Sequence, residues 1–80
     1  MTPRVLTLLS APGCHLCHEL RAVVEAVAPS LGFTLSERDV RERDEWRPYR
    51  LEIPVLLAGD QEVARHRIDA AELERRLRAL

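Results

Sequence analysis

Val5 to Leu9 reads VLTLL, a short continuous apolar run closed by the turn-forming SAPG. A run of this length between turn residues fits a β-strand buried on both faces; a half-exposed strand would alternate with polar residues. After Gly13 the period changes. Apolar residues recur at Cys17, Leu20, Val24, Val27 and Leu31, with Leu16 and Val23 widening the stripe, the three-and-four spacing of an amphipathic helix. Pro29 and Gly32 end that helix. Phe33, Leu35 and Glu37 then alternate with Thr34, Ser36 and Arg38, a second strand with a polar C-terminal half. Strand, helix and strand in succession require a parallel strand pair joined by a right-handed crossover.

Downstream, the charged segment from Arg41 to Arg50 carries Asp44 as an N-cap and Trp46 and Tyr49 on one side, a short helix that Pro48 limits to one or two turns. Ile53-Pro54 leads into VLLA, and Gly59-Asp60 separates it from QEVAR, which together read as an antiparallel hairpin. Asp69 with Glu72 resembles a capping box, and Leu73, Leu77 and Leu80 mark the apolar face of a closing helix. The order is βαβαββα. It predicts an α/β (α+β) fold in which helices cover a four-stranded mixed sheet. Eighty residues without repeats or linkers make one domain, residues 1–80.

The charge pattern excludes one class of partner. All 12 basic residues are arginines and 13 acids are interleaved with them, as in RDVRERDEWRPYR, for a net charge of −1. No single-sign patch emerges, so nucleic acid is not expected as a partner. The apolar run in MTPRVLTLLSAPGC is shorter than the ~7 to 15 residues of a signal-peptide core or the ~20 of a membrane span. The expected location is therefore cytoplasmic, with no membrane association. Thiols are kept reduced there, so a lone cysteine pair is reactive or metal-binding rather than a structural staple.

That pair, Cys14 and Cys17, lies in SAPGCHLCHEL. Cys14 falls in the turn that opens the first helix and Cys17 one turn inside it. Residues three apart on a helix are neighbours, within reach of the ~5.5 Å Cα separation a disulfide tolerates, so the pair can close reversibly without unfolding the helix. Unpaired N–H groups and the helix dipole favour a thiolate at Cys14. Cys14 is thus the expected nucleophile, with the lower pKa, and Cys17 on the apolar stripe resolves the mixed disulfide. His15 is a candidate for tuning that thiolate, His18 a weaker one, and His66 reads as a strand-end or exposed residue. Trp46 and Tyr49 read as packing residues of the short helix.

The same letters allow other chemistry. CHLCH satisfies the C-x-x-C-H haem-attachment pattern, although no export signal accompanies it and the only methionine is Met1. A zinc or iron–sulfur module would hold its metal with Cys14, Cys17, His18 and a folded-back His66. A third alternative is a redox-inactive scaffold that binds partners.

The strand, the glycine-preceded C-x-x-C at a helix start, the later Ile-Pro before a hairpin and the closing helix together resemble the thioredoxin superfamily, specifically a small glutaredoxin-like protein, over essentially the whole chain. The resemblance implies a thiol–disulfide oxidoreductase that carries electrons through a reversible Cys14–Cys17 disulfide, without a resident cofactor or metal. It implies a monomer acting on a protein disulfide or a glutathione-type small-molecule disulfide and restored by an external thiol reductant. It also implies that Pro54 follows a cis peptide bond and lies beside the disulfide, with Ile53 and Gly13 completing the substrate-binding edge. By the same analogy an iron–sulfur cluster could be shared between two chains.

Several residues depart from the family pattern. His15-Leu16 stands between the cysteines where glutaredoxins carry Pro-Tyr and thioredoxins Gly-Pro. No tryptophan precedes Cys14, and no acid lies in VLTLL. ARHRIDAAE offers only Asp69 in place of the glycine pair and adjacent acids that bind glutathione. The reduction potential and the electron donor are therefore left open.

Overall fold

In a computed structural model the fold is described for residues 4–80; Met1, the chain's only methionine, lies outside them. VLTLLS forms β1 (Val5–Ser10), one residue longer than the apolar run because Ser10 still pairs with Asp39 in the ladder. The amphipathic segment forms α1 (His15–Val27), buried along Cys17, Leu20, Val24 and Val27. The stripe continues to Leu31, but Pro29 converts the last stretch into a 3-10 turn, Pro29–Leu31, which Gly32 ends at φ 84°.

The second strand, β2, spans Thr34–Asp39 and the hairpin strands β3 and β4 span Val55–Ala58 and Gln61–Arg65. The closing helix, α2, covers Ala70–Arg78. Asp69 caps it by accepting the Glu72 amide at 2.8 Å, whereas the Glu72 carboxylate turns to Arg75 and Arg76 and does not complete the box. Between β2 and β3 lies a 3-10 helix, Asp44–Tyr49. Its cap position is Arg43 and not Asp44, which becomes the first helical residue and reaches Arg47 at 3.5 Å. Pro48 accounts for the tight i-to-i+3 winding, since it cannot supply the N–H of a regular α-turn.

The strands lie in the order β2-β1-β3-β4. β1 and β2 run parallel, joined through α1, and β1–β3 and β3–β4 are antiparallel, so the sheet is mixed. The central position of β1 and β3 explains why VLTLL and VLLA are apolar without interruption. Leu6, Leu8, Leu56 and Ala58 face one layer, where they pack with Leu20, Val24, Leu73 and Leu77 of the two α-helices. Leu9, Val55 and Leu57 face the other, under Val40 and Trp46, with Tyr49 and Ile53 at its margin. One irregularity breaks the period. Between Leu56 and Leu57 the β3–β4 register slips by a bulge, so the consecutive Val63 and Ala64 are both buried.

This topology gathers the candidate site residues at one end of the sheet. The C-terminal ends of parallel β1 and β2 coincide, and antiparallel β3 begins there, since Leu9 pairs with Val55. The turn into α1, the end of β2 and the Ile53-Pro54 step therefore share one pole.

Candidate active site

The chain leaves β1 at Ser10 and reverses through Ala11, Pro12 and Gly13, where the Cys14 amide donates to the Ala11 carbonyl at 3.2 Å. Gly13 sits at φ 78°, in the left-handed region, and a Cβ there would meet nothing within 4 Å. Backbone conformation, not crowding, selects glycine at this turn. Cys14 follows in extended conformation as the N-cap of α1, and His15 is the first helical residue.

Cys14 performs the cap with sulfur. Its Sγ accepts the Cys17 amide at 3.2 Å, where a serine or aspartate oxygen would ordinarily do so. The two cysteines are joined by a disulfide with their Cα atoms 5.2 Å apart. They are unequal: Cys17 is 2% exposed, among the core residues, while Cys14 is half-buried at the surface. The His15 and Leu16 amides take no protein partner among the described residues, so the helix start presents free donors next to the Cys14 sulfur. Unpaired N–H groups and the dipole at a helix start favour negative charge there.

Pro54 is fully buried, follows a cis peptide bond and accepts the His66 amide at 2.8 Å. Ile53 is half-buried, and its own N–H and C=O take no hydrogen-bond partner among the described residues. His66, at φ 63°, holds β4 to this step while its Nε2 lies 3.7 Å from Glu52.

The histidines are not gathered around the sulfurs as a ligand set. His15 is 88% exposed with Nε2 3.9 Å from Glu19, and His18 turns Nδ1 to Arg21 at 3.0 Å. Among the described residues no group of three His, Cys, Asp or Glu side chains is placed to hold a metal ion, and no helix is long and apolar enough to cross a membrane.

A family model, the glutaredoxin-like domain (DUF836), matches residues 5–78. The chain belongs to this family. The glutaredoxin-like match runs from the first residue of β1 to the last of α2, so it covers the whole sheet and both helices with the cysteine pair in place.

Sequence reasoning missed one element of the glutaredoxin-like site. The Ser10 hydroxyl, in a residue only 8% exposed, donates to Glu37 at 2.9 Å, and Arg21 binds the other Glu37 oxygen at 3.1 Å. Partial burial pushes the Glu37 carboxyl up, but the Ser10 and Arg21 hydrogen bonds and the Arg21 charge outweigh it and hold it below its ordinary value. Two residues along β2, Asp39 is clamped by Arg41 through side chain and backbone, which brings its pKa down to about 2. Beside the cysteine turn Ser10, Glu37 and Asp39 border an open cleft of about 460 Å³. The His18–Arg21 spacing is legible in the sequence as i, i+3; the Ser10–Glu37 contact is not, because it depends on strand register.

Proposed function

We propose that this glutaredoxin-like chain is a thiol–disulfide oxidoreductase. The observation that carries the reading is the sulfur cap: Cys14 sits at a helix start with its Sγ on the Cys17 amide, half-buried at the surface where its partner is in the core. In the reduced protein the Cys14 thiolate attacks a substrate disulfide. A Cys14–substrate S–S bond forms, the substrate S–S bond breaks, and one substrate thiolate leaves and takes a proton from solvent. Cys17, as thiolate, then attacks the Cys14 sulfur. The Cys14–Cys17 disulfide forms and the second substrate thiolate leaves. The substrate has gained two electrons and the protein has lost two; an external dithiol or two thiol molecules return them.

The sequence separation of three and the 5.2 Å Cα spacing let the pair alternate between dithiol and disulfide within one helical turn. The unpaired peptide groups of Ile53 support its role as the edge along which an extended substrate pairs, with Pro54 beside it and Gly13 opening the opposite side. The free amides of the first turn, more than the solvent-exposed His15, supply the stabilisation of the thiolate in this reading. The substrate class is a protein disulfide or a small glutathione-type disulfide, in a compartment that keeps thiols reduced.

The test is to express Cys17→Ser, which cannot resolve the mixed disulfide. The expected result is a covalent adduct on Cys14 that dithiothreitol releases, with wild-type protein cycling between dithiol and disulfide. A variant that traps nothing, together with a wild-type pair that never forms a reversible disulfide, sinks the reading.

A further inference from the structure

His18 follows Cys17 on the side of α1 turned toward β2. Its Nδ1 lies 3.0 Å from the Arg21 guanidinium. Arginine can only donate, so in this contact Nδ1 accepts and the ring proton resides on Nε2. Arg21 is itself held from three sides: Glu37 on β2 at 3.1 Å, Glu25 on its own helix at 3.5 Å, and, through Glu37, the buried Ser10 hydroxyl of β1. Three elements therefore fix one imidazole, and its Nε2–H takes no protein partner among the described residues.

That imidazole lines the cleft of about 460 Å³ beside Pro12 and Gly13, the turn that delivers Cys14. The charged groups at the rim are already matched within the protein: Glu37 with Arg21, Arg38 with Glu42, and Asp39 with Arg41. An anionic ligand here meets the Glu37 and Asp39 carboxylates, and a cationic one meets Arg38. A neutral hydrogen-bond acceptor meets no like charge and finds the Nε2–H donor. The neutral acceptor that recurs along any polypeptide is the peptide carbonyl.

We propose that this cleft is a main-chain subsite in which the His18 Nε2–H donates to a backbone carbonyl of a polypeptide carrying the disulfide to be reduced, with Arg21 as its positioning residue. The assignment rests on the oxidoreductase reading and narrows its substrate to polypeptide disulfides. In the sheet order the cleft lies on the β2 side of β1 and Ile53 on the β3 side, so an extended chain crossing Cys14 engages both. A small disulfide spans neither.

The experiment compares wild type, His18→Phe, His18→Gln and Arg21→Met on two substrates, insulin and bis(2-hydroxyethyl) disulfide, with dithiothreitol as reductant. Circular dichroism checks that each variant is folded, and ¹⁵N shifts of labelled wild type identify the His18 tautomer. The expected result is an Nε2–H tautomer and a KM for insulin raised about three- to tenfold in His18→Phe with kcat unchanged, the loss of one net hydrogen bond. Glutamine, which also places an N–H near the Nε2 position, restores most of the loss, Arg21→Met shows part of it, and the small disulfide responds to none of them. An Nδ1–H tautomer, an unchanged insulin KM in His18→Phe, or an equal effect on both substrates overturns the subsite and leaves the oxidoreductase reading standing. Wild type that reduces neither disulfide overturns both.

Discussion

The Cys14 sulfur accepts the backbone N–H of Cys17 at 3.2 Å, so one partner of the disulfide caps the helix that buries the other. After reduction this arrangement leaves one sulfur at the surface among free amide donors and one in the core. In the reduced protein iodoacetamide at neutral pH is expected to modify Cys14 at least about tenfold faster than Cys17. Peptide mapping of partly alkylated protein reads this directly. Equal rates, or Cys17 reacting first, would show that the cap confers no asymmetry.

Glu37 ties β2 to β1 through Ser10 and to α1 through Arg21. Its carboxyl is held below the ordinary glutamate value, so its contribution to stability is complete above the ordinary value and is lost as pH falls through the lowered one. Glu37→Gln is expected to cost about 1 kcal/mol at neutral pH, after allowance for a side chain one-third exposed. The gap between wild type and variant should close as the pH falls below the ordinary glutamate value and through the lowered one. Urea unfolding across that range checks both parts, and a gap that widens toward acid contradicts the sign.

Two leucines occupy opposite extremes of exposure. Leu73 is 0% exposed, in the core under α2, and Leu51 is 95% exposed between the 3-10 helix and Pro54. Leu73→Ala is expected to cost about 3 kcal/mol, enough to leave so small a domain partly unfolded, while Leu51→Ala stays within about 0.5 kcal/mol of wild type. Thermal unfolding of the pair reads the contrast. A loss at Leu51 comparable to that at Leu73 would place the pre-proline loop in the folding core.

Much of this fold is legible because its signals are local. VLTLL and VLLA announce buried central strands, and the stripe through Leu20, Val24 and Val27 announces a helix docked on them. The cysteine spacing and the Ile53-Pro54 step likewise stand in the sequence. What is not legible depends on partners distant in the chain. The bulge that buries both Val63 and Ala64 is a property of the β3–β4 ladder, and Glu37 meets Ser10 only once β1 and β2 are aligned. Asp44 illustrates a different failure: its residue type suits a cap, but the 3-10 winding around Pro48 moves the cap to Arg43. Between the histidines, proximity to Cys14 favours His15, yet His18 makes the ordered contact, because only its side of α1 faces the charged end of β2.

The placement of β1 at the middle of the sheet has a consequence for when the cysteines become special. Cys14 and Cys17 need only one helical turn to meet, but Glu37 reaches Ser10 from β2, and Pro54 and His66 reach the same pole from the two ends of the hairpin. A nascent or nicked chain lacking the hairpin would have the cysteine pair without the Ile53-Pro54 step beside it and without the β1–β3 pairing that holds the turn. The candidate site is thus complete only once β3 has closed against β1 and β4 against β3.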